Sequence, residues 1–320
     1  MKQTQESGQH ITDRAKAYLI ANWAWFVFLG LLIFQWRQTN LWKEVSAYGD
    51  VLENVWGIIW YHDALLQWKS PFNYPLIFHP QGWSLGTWAL SPLTFALAQP
   101  FMLLTKSPAL SYNAPIILSM VVAYVGAKRF FRFWSPTYTA DLAALAWTFA
   151  ATRQIRGPVG HIHTLWMTAL FGWLGYYIIR MKQEDADAGI FSRNVILAGI
   201  VFGLTVNFSL YSIFICPLFL LLLGDRLRIK RIWIQAIVIL AIGFLMGLPS
   251  ILPIVLLPAG AANSPTLTDL TFWSTNFDSL FLPNRLNAIP QIGEFVYKIY
   301  SAPYNESASL SFGFIGTLLA

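Results

Sequence analysis

The amino-acid sequence predicts an all-α polytopic membrane protein, one transmembrane domain over residues 1–320 with about eight or nine spanning helices. Three observations predict it. Only 11% of the residues are charged while 56% are hydrophobic, whereas a soluble domain carries about a quarter charged residues. Mean hydropathy is +0.51. Apolar runs near the roughly 20-residue length that crosses a bilayer recur along the whole chain. The net charge of +6 is not a nucleic-acid signal, because the basic residues gather in short segments beside apolar runs. There they report orientation and meet lipid headgroups. The single cysteine, Cys216, lies inside an apolar run, which excludes a disulfide framework.

The first span is read at 17–36. Lys2, Arg14 and Lys16 precede it and favour a cytoplasmic N-terminus. The polar segment before this span is too long for a signal peptide, so the span is permanent. An outer loop, 37–82, follows. Within it Asp50–Trp68 has helical spacing, with Leu52, Trp56, Ile59 and Tyr61 suited to the bilayer surface and Asp50, Glu53 and Asn54 on one polar face. It reads as an amphipathic helix lying in the interface. Pro71, Pro75 and Pro80 then impose extended or turning backbone.

Further runs lie at 83–104, 110–131, 138–152 and 164–181. The run 195–224 is interrupted at Asn207–Ser212 and bordered by basic residues on both sides, so it reads as two short helices with their apex on the far side. The last full span is 232–257, with Pro249 and Pro253 at its far end. A second outer loop covers about 258–310. The apolar piece 311–320 is too short to cross a bilayer, so the native chain is expected to continue. One conflict stands in this scheme. Lys128, Arg129 and Arg132 place the loop 128–137 in the cytoplasm, but counting spans from an inside N-terminus places it outside. Either 83–104 is not a simple crossing, or the charge rule fails locally.

Asp50 is the first candidate for chemistry. A carboxylate at the head of an interfacial helix can take a proton from a hydroxyl or hold a divalent metal, with Glu53 and Asn54 assisting. The same position equally suits an N-cap with Glu53 three residues on, a capping-box-like pair. His79, in the turn His79-Pro80-Gln81-Gly82, sets an imidazole near the membrane face. Arg153, Arg156, His161 and His163 form a second cluster between two spans, where cations suit an anionic headgroup or a phosphate leaving group. Ordinary headgroup anchoring explains the same cations. Asn207 and Tyr211, at the helix break, are candidates for lining a cavity. Asp141 reads as a first-turn helix residue, and Asp278, Asn284 and Arg285 as part of a loop over the site.

The order of these features resembles bacterial polytopic glycosyltransferases of the GT-C fold. Gly49-Asp50, then Asn54 with Trp56 and Trp60, then Phe78-His79-Pro80-Gln81-Gly82 all fall between the first two spans. Gly160-His161 is similar to the outer-face Gly-His of several such families, and Asp278-Ser279-Leu280 with Pro283 to their late outer-loop motif. Phe314-Ile315-Gly316 resembles the start of the span that follows it. The resemblance implies a GT-C-like bundle in the bacterial plasma membrane, part of the cell envelope machinery. It implies transfer of a sugar from a polyprenyl-phosphate donor to an acceptor at the outer face. Asp50 would be the general base, or a carboxylate linked to a divalent metal, Mg or Mn. Glu53, Asn54, His79, Arg153, Arg156, His161, His163, Asn207 and Tyr211 would bind substrate. Partners would be the lipid-linked sugar, membrane lipids and other proteins of the envelope, with no nucleic acid. The chain departs from the pattern in having no Asp-x-Asp or Glu-x-Asp pair at the loop start, which leaves metal dependence open. A non-catalytic membrane subunit of a larger complex, or a transporter or flippase of lipid-linked substrates, shares the composition. The near absence of membrane-embedded charge and of paired halves weighs against the transporter.

Overall fold

A computed structural model describes residues 22–46, 49–74, 83–84, 92–184 and 189–256, together with 291 and 298. The described chain is helical apart from one two-residue ladder. Contacts divide it into Met1–Thr39 and Asn40–Ala320. Within the first unit, α1 (Asn22–Trp36) carries exposed Phe26, Leu29, Ile33 and Phe34. Arg37 closes its end, with Nη1 donating to the Phe34 carbonyl at 2.5 Å and the guanidinium 3.8 Å over the Phe34 ring.

The second unit opens with α2 (Val51–Leu66), β1 (Asn73–Tyr74) and β2 (Trp83–Ser84), followed by α3 (Pro92–Thr105), α4 (Pro108–Phe131) and α5 (Thr137–Thr148). Then come α6 (Ala151–Arg156), α7 (Ile162–Lys182), α8 (Arg193–Phe208), α9 (Ser212–Ile215) continued by a tighter 3-10 segment (Cys216–Arg228), and α10 (Lys230–Val255). Among the described residues three helices are long and apolar enough to span a membrane: α4, α7 and residues Lys230–Leu252 of α10. The remaining apolar helices are shorter, so the expected eight or nine full spans are not reproduced by length. The strands pair antiparallel, Asn73 with Ser84 and Tyr74 with Trp83. Trp83 therefore belongs to a strand and not to the span expected from 83, and the described helix begins at Pro92, whose fixed φ and missing N–H suit a first helical turn. What remains, α3, rises roughly 21 Å, less than a hydrocarbon core of about 30 Å.

Packing fixes the direction of each helix. α4 and α7 run parallel: Tyr112 Oη donates to the Gly157 carbonyl just before α7, and Trp173 Nε1 donates to the Val122 carbonyl. A Cβ on Gly172 would stand 2.6 Å from the Gly126 and Ala127 backbone, so glycine is what lets these two helices meet so closely. α8 and α10 also run parallel, with Gly199 against Ile242, Gly203 against Met246 and the Gly243 carbonyl, Gly243 against Phe202, and Gly247 against Val206. α9 and the 3-10 segment make the return between them, breaking at Gly224 (φ 52). Trp166 stacks on Phe208 at 4.9 Å, so the start of α7 lies beside the end of α8.

These directions sort the charges. The C-terminal turns of α4 and α7 carry Lys128, Arg129, Arg180 and Lys182, and Arg132 follows α4 directly. Arg193 begins α8, Arg226 and Arg228 end the 3-10 segment, and Lys230 and Arg231 begin α10. All lie at one end of the bundle. The loop 128–137 thus shares its end with the other basic connections. The conflict in the span count comes from 83–104: α3 follows α2 back toward the start of α4, with Tyr61 against Phe95, His62 Nδ1 3.3 Å from Gln99 Oε1, and Ser111 Oγ 3.7 Å from Met102 Sδ.

Candidate active site

At the opposite end, two glycine-led dipeptides from distant parts of the chain lock together. The Asp50 amide donates to the Val159 carbonyl at 3.0 Å. Gly49 has φ +55, and a Cβ there would run into that same carbonyl. Gly160 has φ +95, and a Cβ there would stand 2.5 Å from the Asp50 carbonyl carbon. Only glycine allows both the left-handed backbone and the close approach. Asn54 clamps the pair, its Nδ2 donating to the Asp50 carbonyl at 2.8 Å and to the Gly160 carbonyl at 2.9 Å. Tyr112 holds the same loop through the Gly157 carbonyl at 2.7 Å.

Asp50 stands at the N-cap position of α2, but its side chain caps nothing. The carboxylate is 56% exposed and its Oδ2 lies 3.3 Å from His161 Nε2. The other ring nitrogen, Nδ1, lies 2.7 Å from Arg156 Nη1. A guanidinium only donates, so Nδ1 accepts and the ring proton sits on Nε2, aimed at Asp50. His161 N also donates to the Arg156 carbonyl at 2.8 Å, which ties the two residues together across the turn. His163 lies behind, its ring tilted against that of His161 with the centroids 5.5 Å apart.

Glu53 is half-buried beside Asp50. Desolvation first, and the Asp50 charge second, raise its pKa above the ordinary carboxyl value. Arg153 is buried on α6; its Nη1 donates to the Leu165 carbonyl at 3.0 Å and contacts Thr168 Oγ1, while Nε and Nη2 find no partner. Burial lowers its pKa to about 9.

The structure therefore gathers Asp50, Glu53, Asn54, Arg156, His161 and His163 at one end of the bundle, with Arg153 one turn away on α6. Asn54, expected on an exposed polar face, is instead buried, because α2 turns Val51, Asn54, Gly57 and Ile58 inward. Asn207 is engaged between two helices: Nδ2 donates to the Gly203 and Met246 carbonyls, and Oδ1 accepts from Ser250 Oγ at 2.9 Å, a network between α8 and α10. Tyr211 is exposed at the helix break. His79, Asp278, Asn284 and Arg285, with the outer loop at 258–310 apart from residues 291 and 298, lie outside the described residues. Tyr112 and Val159 complete the site without any signal in the sequence, since both read as ordinary apolar positions.

The donor set does not fit the Mg or Mn considered for Asp50. A ring nitrogen bearing its proton and a guanidinium behind it suit a hydroxyl or an anion, not a second cation. Among the described residues no three His, Cys, Asp or Glu side chains come together. Comparison with family models, with curated proteins and with solved structures returns no match.

Proposed function

We propose that this protein is an integral membrane glycosyltransferase moving a hexosyl or pentosyl group from a polyprenyl-phosphate donor to an acceptor hydroxyl at the outer face of a bacterial plasma membrane. The observation that carries the reading is Asp50: exposed, excused from capping its own helix, and held opposite His161 by a glycine lock. The order of Gly49-Asp50 and Gly160-His161 in a GT-C-like chain supports it. The basic end of the bundle faces the cytoplasm by the positive-inside rule, which puts Asp50 at the outer face. Three helices long and apolar enough to span a membrane, and four shorter apolar ones, support a membrane setting.

In this mechanism the acceptor oxygen bonds to the anomeric carbon as the bond from that carbon to the phosphate oxygen breaks. The hydroxyl proton passes to Asp50 and the electron pair leaves with the phosphate. His161 Nε2–H fixes the carboxylate, and Arg156 and Arg153 offset the charge gathering on the leaving group.

The test is transfer in membranes carrying the full chain, supplied with radiolabelled polyprenyl-phosphate hexose and pentose. Asp50→Asn is expected to lose about 10²–10⁴-fold of the rate while inserting and melting as the parent does. Full transfer by the variant would show that Asp50 is no base.

A further inference from the structure

At the basic end of the bundle, far from Asp50, α4, α7 and α8 enclose a cavity of about 350 Å³ lined by Arg129, Tyr176, Tyr177, Arg180, Arg193 and Asn194. Cavities of roughly 300–1,000 Å³ are the usual size for small ligands. Three helices each contribute a guanidinium to the rim, and all three arginines are exposed there. Glu184 is the one lining carboxylate among the described residues, and its Oε1 already accepts from Asn194 Nδ2 at 2.7 Å. Among the described residues none of the three arginines forms an ion pair.

Two of the guanidinium planes are held by rings instead. Arg129 lies 4.6 Å from the Trp173 ring centroid and 5.9 Å from that of Tyr176. Arg180 lies 5.8 Å from the Tyr176 ring and its Nε donates to Tyr176 Oη at 3.3 Å. Aromatic stacking fixes the plane of a guanidinium without consuming its charge, which prepares it for bidentate contact with phosphate oxygens. Phe191 and Ile196, flanking Arg193 in sequence, are exposed, as a lipid-facing rim requires.

We propose that this cavity binds a phosphate-bearing headgroup, presented by an anionic lipid of the adjoining leaflet. The site is independent of the sugar-transfer reading. It explains why three exposed arginines converge on an indentation at the depth where helix ends meet headgroups.

The experiment uses the full chain in neutral detergent, titrated with phosphatidylglycerol, phosphatidylcholine or soluble glycerol phosphate, with bound molecules counted by native mass spectrometry and Tm followed in parallel. Phosphatidylglycerol is expected to bind most tightly and raise Tm. Arg180→Gln combined with Arg193→Gln should weaken it about tenfold or more. Arg193→Gln alone, at an exposed position, serves if the double variant does not fold, and Arg228→Gln, at the same end but outside the cavity, should change nothing. Glu184→Gln should keep or strengthen binding. Equal affinity for the two lipids, no loss in the Arg193 variant, or loss on Glu184→Gln (a bound cation) would each overturn the site. Soluble glycerol phosphate binding as tightly as the lipid would overturn the lipid as its source.

Discussion

His161 offers its Nε2 proton to Asp50 Oδ2 at 3.3 Å, although neither residue's own helix brings them near each other. The pairing is made by backbone. Asp50 N meets the Val159 carbonyl, and the glycines before Asp50 and His161 remove the Cβ atoms that would hold the two segments apart. The side chain of Asp50 is thereby spared from capping α2, and Asn54, one turn on, ties both backbones instead. A carboxylate can then face the bundle end with an imidazole and a guanidinium in line behind it.

Gly160→Ala forces a Cβ to within 2.5 Å of the Asp50 carbonyl carbon at φ +95. Left-handed strain alone costs about 1–3 kcal/mol, and the clash adds to it. The variant is expected to melt several degrees lower and to lose transfer, with Gly49→Ala behaving alike. A Gly160→Ala protein with unchanged Tm and rate would show that the lock does not position Asp50.

Asn54→Leu keeps the size of the side chain but removes both donations to the Asp50 and Gly160 carbonyls. Net loss is about 0.5–1.5 kcal/mol for each bond, more where a carbonyl is left buried. Transfer should fall with little change in the apparent KM for donor, because the residue positions Asp50 and touches no substrate. A rise in KM alone would instead make Asn54 a binding residue.

Glu53 gives a pH signature. Its folded pKa is raised above the ordinary 4.5 by burial and then by Asp50, so the folded chain holds this proton more tightly than the unfolded chain. The stability gained from the protonated form is complete below 4.5 and is lost as pH rises through the folded value. Glu53→Gln is therefore expected to raise Tm at neutral pH and to do nothing at about pH 4 or below. A Tm difference that does not depend on pH would refute the assignment.

Asn207→Ala opens the network joining Gly203, Met246 and Ser250 between α8 and α10. Polar contacts between membrane helices contribute about 0.6 kcal/mol on average and up to about 1.7. The variant should lower Tm modestly and leave kcat/KM for donor and acceptor unchanged. A selective rise in KM would return Asn207 to the substrate site where its position at a helix break first placed it.

The helices were legible wherever hydropathy and local chemistry agree. α4 lies over 108–131 against an apolar run at 110–131, α7 over 162–182 against 164–181, and the long run at 195–224 breaks after Phe208 as its polar centre predicts. The site was half legible. Asp50, Arg156 and His161 stood out as ionisable groups at the ends of apolar runs, but the burial of Asn54 could not be read from a helical wheel. Its polarity argued for solvent, and only the two carbonyls meeting on the inner face of α2 outweigh that preference.

By itself, the sequence determined that this chain belongs in a membrane as helices, where its basic turns lie, and which dipeptides carry ionisable groups beside glycine. Those properties are local, written in hydropathy, charge and the steric freedom of single residues. Tertiary structure alone decided that Gly49-Asp50 meets Gly160-His161, that Asn207 ties two helices together, and that the loop 128–137 joins the other basic connections. Each depends on which helices run parallel, and that is settled by glycine-to-backbone contacts between distant segments, where the spacing of residues along one chain carries no information.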